Sequence, residues 1–530
     1  MRRCVAYATL LVAACSGGDP GSDTATAGPD DFNAVYVVSE PSGDDVVLIP
    51  ATTLRAPNAA NAVDLGTASG GYTDYQFVVT SGEWKDGVVS HVRPAQFAFW
   101  QNGHWLRVDL RSGTGVAPVA FGDESQVRCD MWGLPLVMRD FANPLHSWVF
   151  YNVAAPGTQC GSNTEVHALR LDDPPGTAAR VLGFAGFPLR PFYDGSGAIT
   201  GILANGNGGV VLFDSSLSNP QVVIAAGGAS PMSFARTADL VCVRYVNTSA
   251  NTANVDCVRS DHSVQHLLSL DRSNTNLFVS EGYSDAEALY VVARVTGGNP
   301  HSTLYRAPYD GSPAVQLYDQ FGEYWLAGVS DHAVIVDTFS NLLAVEKTTG
   351  GTVKMLASAG YDFFSPVSGN GPRVAGDRVL WTAYDNDFSS PLHTRAGISR
   401  DDGTVLEEHD ASEWIGREED TLTFATAEEA PASWAVLVRS YSGSDLTKTG
   451  YQGGTIVSYD LESGARRKLG TVADPVLFGP IYERTGLTSY WYPDPSVSTD
   501  SNVLAFDLAS GTAKLLMNTP STSEYAPTAR

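Results

Sequence analysis

The chain has 530 residues, of which 33 are Lys or Arg and 58 are Asp or Glu, giving a formal net charge of -25 at neutral pH. That balance argues against nucleic acid or an anionic lipid surface as a partner, because both are bound by clustered cations that displace counterions. A hydrophobic content of 43% suffices for a large core, and a length prior of ~150 residues per domain would allow about three domains.

The first residues read as an export signal. Arg2 and Arg3 supply a positive start, and Val5 to Ala14 form an apolar stretch too short to span a bilayer as a helix. Val12-Ala13-Ala14-Cys15 then resembles a bacterial lipobox. The resemblance implies that residues 1–14 are removed, that Cys15 is lipidated, and that the protein is held in the bacterial cell envelope, at the outer membrane, on its periplasmic side or at the cell surface. Ser16 to Asp31 (SGGDPGSDTATAGPDD) is almost free of apolar residues and reads as a flexible tether. No later run approaches 18 uninterrupted apolar residues, so the lipid is the only membrane attachment expected.

From residue 32 to residue 530 one pattern recurs ten times: an apolar strand, a polar turn ending near glycine, and a second short apolar strand. Clear copies are RVDLRSGTGVAPV from Arg107, RAPYDGSPAVQLY from Arg306, SYDLESGARRKLG from Ser458 and AFDLASGTAKLLM from Ala505. The residue that opens the turn between the third and fourth strands of each unit can serve as a marker: Asp109, Asp172, Asp214, Asp261, Asp310, Lys347, Asp401, Asp460 and Asp507. Eight steps from Asp109 to Asp507 average about 50 residues, the length of a four-stranded propeller blade. In EYWLAGVSDHAVIVDTFSNLLAVEKTTGGTVKML, from Glu323, the four runs YWLAGV, HAVIVDT, NLLAVEK and TVKML are separated by turn residues. In FAFWQNGHWLRVDL, Asn102-Gly103 marks a two-residue hairpin loop. No amphipathic helix of any length is predicted.

The expected fold is therefore all-β, a β-propeller of about eight to ten four-stranded blades, with a single ring favoured over two tandem rings. An earlier unit, with VYVVS from Val35 and VVLIP from Val46, lacks an innermost strand, which SEYAPTAR from Ser523 is placed to supply. Spacings of 63 residues from Asp109 to Asp172 and 59 from Asp401 to Asp460 imply insertions or a miscounted unit. LYRAPYDGSPAVQL from Leu304 resembles the repeats of the TolB-like, or PD40-like, propeller families, in which a D-G turn precedes the outermost strand. That resemblance covers about half the units.

Cys4 lies in the signal, leaving Cys129, Cys160, Cys242 and Cys257 beyond the lipidated position. In LVCVRYVNTSANTANVDCVRS a hairpin folded about Ser249 and Ala250 places Cys242 opposite Cys257, which predicts a disulfide. Cys129 and Cys160 then remain for a second bridge in an oxidising compartment, the alternative being buried free thiols.

The chemistry predicted from sequence is sparse. GYSDA at Gly282 and GVSDH at Gly328 begin like a nucleophile elbow but lack its closing glycine. His262 and His266 have a spacing that serves a helix face but separates two ligands by ~13 Å along a strand, so one reads as a turn histidine and the other as a strand histidine. Asp385, Asn386 and Asp387 lack the spacing of a calcium loop, and the D-G pairs Asp310-Gly311 and Asp402-Gly403 read as turns. Trp100, Trp105, Trp325, Trp381, Trp434 and the Tyr490-Trp491-Tyr492 run sit largely in alternating strands, where packing outweighs sugar stacking. Glu418, Glu419, Asp420, Glu428 and Glu429 read as a solvated insertion. No catalytic residue, metal site or cofactor site is assigned. The expected role is a lipid-anchored, non-catalytic binding or scaffold module for an envelope protein or a surface glycan. The alternatives are a propeller enzyme acting on carbohydrate or peptide through loop carboxylates, and a glycan-binding lectin.

Overall fold

The computed structural model describes residues 33–525 apart from a set of segments between strands, among them 50–62, 411–419 and 491–500, and describes side chains up to residue 408. Residues 1–32, including Cys15 and the tether, and residues 526–530 lie outside the described residues. Within the described residues the chain forms ten antiparallel sheets of four or five strands, and the helical content is one 3-10 turn, Pro144–His146.

The first sheet contains Ala34–Glu40, Gly43–Ile49 and Val63–Ala68, and its missing edge is filled by Ser523–Tyr525 from the other end of the chain. The pairing Val37↔Tyr525, Val38↔Glu524 and Ser39↔Ser523 closes N-terminal and C-terminal strands into one sheet, as the strand inventory predicts. The other nine sheets each use one contiguous stretch of chain: 76–121 for the second, 128–184 for the third, 187–224 for the fourth and 230–271 for the fifth. The sixth to tenth follow over 276–321, 325–355, 361–410, 420–472 and 476–519. Each sheet packs against the next in chain order, and Thr485–Tyr490 of the tenth contacts Ser523–Tyr525 in the first. Radially repeated four-stranded sheets latched end to end in this way make a β-propeller.

The hydrophobic pattern explains the stacking. In the third sheet the strand Trp148–Ala154 (WVFYNVA) alternates between two cores: Trp148 and Phe150 pack toward the fourth sheet with Met138 and Ile202, while Val149, Tyr151 and Val153 pack toward the second with Trp105 and Phe121. In the seventh sheet, Val334 and Val336 meet the sixth sheet while Ala333 and Ile335 meet the eighth. A period of two with both faces buried yields near-continuous apolar runs in the second strands, and each such face is covered only by a neighbouring sheet. Fourth strands are the most exposed, with Val119, Val181, Val222, Phe321, Val353 and Met355 open to solvent at the sheet edge.

The 63-residue step from Asp109 to Asp172 is an insertion. The third sheet uses two short segments, Arg128–Cys129 and Leu136–Met138, against Trp148–Ala154, together with the loop that carries the 3-10 turn.

Candidate binding face

Antiparallel order places the turns between first and second strands and those between third and fourth strands at the same end of each sheet. Every marker residue from Asp109 to Asp507 sits at the end of the third strand or in the turn that follows it. Where side chains are described, the aspartates are turn makers. Asp214 Oδ1 accepts from the Ser216 and Ser218 amides and the Ser216 hydroxyl, and Asp194 Oδ1 accepts from the amides of Ser196 and Ala198 and the Ser196 hydroxyl. Asp261, Asp310 and Asp402 accept from the backbone of Ser263, Ser312 and Thr404, two residues on. The Ser196 and Ser216 hydroxyls hold the Asp194 and Asp214 carboxyls below the usual carboxylate range, so both are ionised at neutral pH.

The same turns join neighbouring sheets. Asp401, buried in the eighth sheet's turn, accepts from Ser330 Oγ at 2.8 Å and from the His332 amide at 3.1 Å, both in the seventh. Lys347 occupies the marker position of the seventh sheet, where the other units carry Asp, and its ammonium reaches Asp285 of the sixth at 2.8 Å. Asp140 Oδ2 in the third sheet accepts from the Ile199 amide of the fourth at 3.0 Å. At the opposite end of the sheets, Arg294 of the sixth donates from its guanidinium to the Tyr324 carbonyl at 2.6 Å and lies 3.9 Å above the Trp325 ring of the seventh.

On this side of the fourth sheet lies a cleft of about 550 Å³. Phe192, Tyr193 and Asp194 from the end of the first strand, Thr200 from the second and Asp214 from the third line it, together with His262 from the turn of the fifth sheet. His262 takes a left-handed backbone conformation, φ 72°, at the end of a four-residue turn in which its amide donates to the Arg259 carbonyl, and the Arg259 amide donates to the Ser263 carbonyl just beyond. The cleft therefore combines two ionised carboxylates with aromatic walls, and neither Lys nor Arg lines it.

Cys242 and Cys257 form a disulfide and are paired directly across Leu240–Asn247 and Thr252–Arg259 of the fifth sheet, as predicted. Cys129 lies in the short strand Arg128–Cys129, Cys160 lies outside the described residues, and the fate of that pair is therefore not described. The two incomplete elbow motifs are both turns between first and second strands: Asp285 of GYSDA accepts from the Glu287 and Ala288 amides, and Ser330 of GVSDH bonds Ala333 and Asp401. His262 and His266 do not converge. His266, on the strand Val264–Asp271, meets buried Asp256 through Nδ1 at 2.6 Å, and Asp256 also accepts from Tyr245 OH at 2.7 Å.

Trp100, Trp105 and Trp381 are buried between sheets, as expected, while Trp325 is half-buried beneath Arg294. Trp434 and Tyr490 lie on strands whose side chains are outside the described residues. Asp385 and Asp420 lie on strands, and Asn386, Asp387, Glu418, Glu419, Glu428, Glu429, Trp491 and Tyr492 lie outside the described residues. Among the described residues no group of three or more His, Cys, Asp and Glu is placed to hold a metal ion, and no helix is long and apolar enough to cross a membrane.

The inter-sheet pairs and the Asp256–His266–Tyr245 group were not predicted from sequence. One signal was available, the single Lys at position 347 in a series of Asp, which marks a turn that binds an acid elsewhere.

No protein-family model and no curated protein matches the chain by sequence. Among solved structures it is similar to a eukaryotic initiation factor, at 9% identity over 94% of this chain and 99% of that one, TM-score 0.44. It is similar to Porphyromonas gingivalis dipeptidyl peptidase 4, at 9% identity over 78% of this chain and 64% of that one, TM-score 0.44. It is also similar to the β-propeller domain of the Trilobed protease from Pyrococcus furiosus, at 8% identity over 70% of this chain and 94% of that one, TM-score 0.31. These likenesses concern architecture, and the sheets themselves, closed by Ser523–Tyr525, identify the chain as a β-propeller.

Proposed function

We propose that the protein is a lipid-anchored, non-catalytic binding module of the bacterial envelope, and that it takes a cationic segment of a partner protein in the cleft of the fourth sheet. The observation that carries the reading is the cleft itself. Its volume of about 550 Å³ is in the range of ligand sites, and Asp194 and Asp214 enter it as carboxylates fixed by their own turns. Carboxylates committed to backbone donors make a static anionic surface, whereas acid–base work needs a carboxyl free to change protonation near neutral pH. The D-G turn ahead of the fourth strand, as at Asp310-Gly311, supports kinship with TolB-like repeats.

The test is binding of a lysine-rich peptide, with a glutamate-rich peptide as control, to the propeller without its first 31 residues. The Asp194→Asn/Asp214→Asn variant keeps the turn acceptors and removes the charge. At least a tenfold loss of affinity in the variant, and weakening with salt, is expected; equal binding of both peptides, or an unaffected variant, overturns the reading. The anchor is tested separately: Cys15→Ala should release the protein from membranes and abolish palmitate labelling, and unchanged fractionation would sink that part.

A further inference from the structure

The hairpin of the second sheet is longer than its sheet. Gln76–Lys85 pairs with the second strand, Val88–Gln101, from Gln76↔Phe99 to Lys85↔Val88, but the third strand ends at Asp109 opposite Gln96. The Leu110 amide donates to the Ala95 carbonyl at 2.9 Å, and beyond that point Thr80–Lys85 and Val88–Pro94 run on without a third-strand neighbour, as an arm of roughly 20 Å. Its base is broken by two register shifts, between Val79 and Thr80 and between Ser81 and Glu83, and Pro94, which has no N–H to offer, stands opposite Thr80. Bulges and a proline at one level re-aim a hairpin and weaken its continuity with the sheet.

The arm comes down on two other sheets. Trp84 stacks on Phe141 of the third sheet, with ring centres 5.4 Å apart and planes 20° from parallel, and lies 4.4 Å from the Tyr193 ring of the fourth. Gly197 makes room for it: a Cβ there would lie 2.7 Å from Trp84 Cβ and 3.0 Å from Phe141 Cβ. The seat is itself braced, by Phe141 N–H donating to the Gly197 carbonyl at 3.0 Å and by Tyr193 OH donating to the Arg139 carbonyl at 2.9 Å. Trp84 Nε1 is buried with no hydrogen-bond partner among the described residues, so the indole is held by packing and not by a polar contact. Tyr193, which receives Trp84, also walls the cleft, and Asp194 and Gly195 of the cleft belong to the same turn as Gly197.

We propose that this arm is a strap that docks through Trp84 and opens as a unit at its bulged base, and that the docked strap sets the turn walling the cleft. The first half stands on the arm's geometry alone; the second rests on the reading of the cleft as a binding site.

Hydrogen exchange of the propeller, read by mass spectrometry on peptides covering 80–95, 96–101 and 193–200, tests both. In the unaltered protein the arm amides should exchange at least tenfold faster than those of Phe97–Phe99. Trp84→Ala should speed the arm at least another tenfold and leave Phe97–Phe99 unchanged, with Trp84→Phe restoring most of the protection. Arm amides that exchange with the rest of the second sheet, or that ignore both substitutions, overturn the strap. Coupling predicts that the lysine-rich peptide slows exchange at 193–200 and at the arm together. A peptide that protects 193–200 and leaves the arm unchanged overturns the coupling alone. A peptide that fails to bind overturns the cleft reading and the coupling with it, leaving the strap to be judged on the arm amides.

Discussion

Removing the disulfide of the fifth sheet, by the double substitution Cys242→Ala/Cys257→Ala, isolates one inter-strand link in a buried setting. The two cysteines are separated by 15 residues in sequence and lie in the core shared with the sixth sheet, among Leu240, Val255, Leu289 and Val291. Closing a loop of this size removes denatured-state entropy equivalent to about 3 kcal/mol in the chain-entropy model. Loss of two buried sulfurs, each taken as about one methylene, adds roughly 1.5 kcal/mol. The sum of about 4.5 kcal/mol corresponds to an increase in the opening constant on the order of a thousandfold, at about 1.4 kcal/mol per factor of ten. Because sheets of a repeat array open locally, hydrogen exchange of peptides spanning 240–259 is the appropriate measurement, rather than a single global transition. Reduction without substitution keeps both sulfurs and should forfeit only the entropic part, roughly 150-fold by the same conversion. An increase below about tenfold in the double variant, or alkylation of both thiols before any reductant is added, would refute the reasoning.

The remaining predictions concern the contacts between and within sheets. Burial on its own would raise the Asp285 carboxyl, but the Lys347 ammonium and the Glu287 and Ala288 amides outweigh it and hold it below the usual range. A depressed carboxylate stabilises the fold above the unfolded value of about 4 and loses that contribution as pH falls through its folded value. Asp285→Asn should therefore flatten the fall of the unfolding temperature between pH 5 and pH 2.5 (about the window in which carboxylates titrate), and an unchanged profile would count against the pair. With Asp285 and Lys347 both partly solvated, Lys347→Met should cost at most about 1 kcal/mol at neutral pH. Gly397 pairs across from Trp381 in the eighth sheet, and a Cβ there would lie 2.6 Å from the indole Cε2 and 2.8 Å from the Glu407 carbonyl oxygen. Since Trp381 is fully buried, Gly397→Ala should destabilise that sheet by about 1–3 kcal/mol, visible in near-ultraviolet circular dichroism, and a neutral result would show that the ring has room to move.

The sequence by itself was enough for the elements and their closure. A side-chain period of two, with Asp-led turns every ~50 residues, is a local property, and strand order within a sheet follows from short antiparallel connections. The unit from Glu323 became the four strands of the seventh sheet, Ser523–Tyr525 completed the first, and Cys242 met Cys257 because equal distances from one turn leave a hairpin a single register. Tertiary structure alone decided what the turns do once the sheets stand side by side. Lys347 finds Asp285 62 positions away, Asp401 finds Ser330 71 positions away, and Trp84 finds a seat built from Phe141, Tyr193 and Gly197. Such contacts depend on how far each turn projects above its sheet and on the twist between neighbouring sheets. Neither quantity is written in the alternation of apolar and polar residues, which records only which face of a strand is covered and not what covers it.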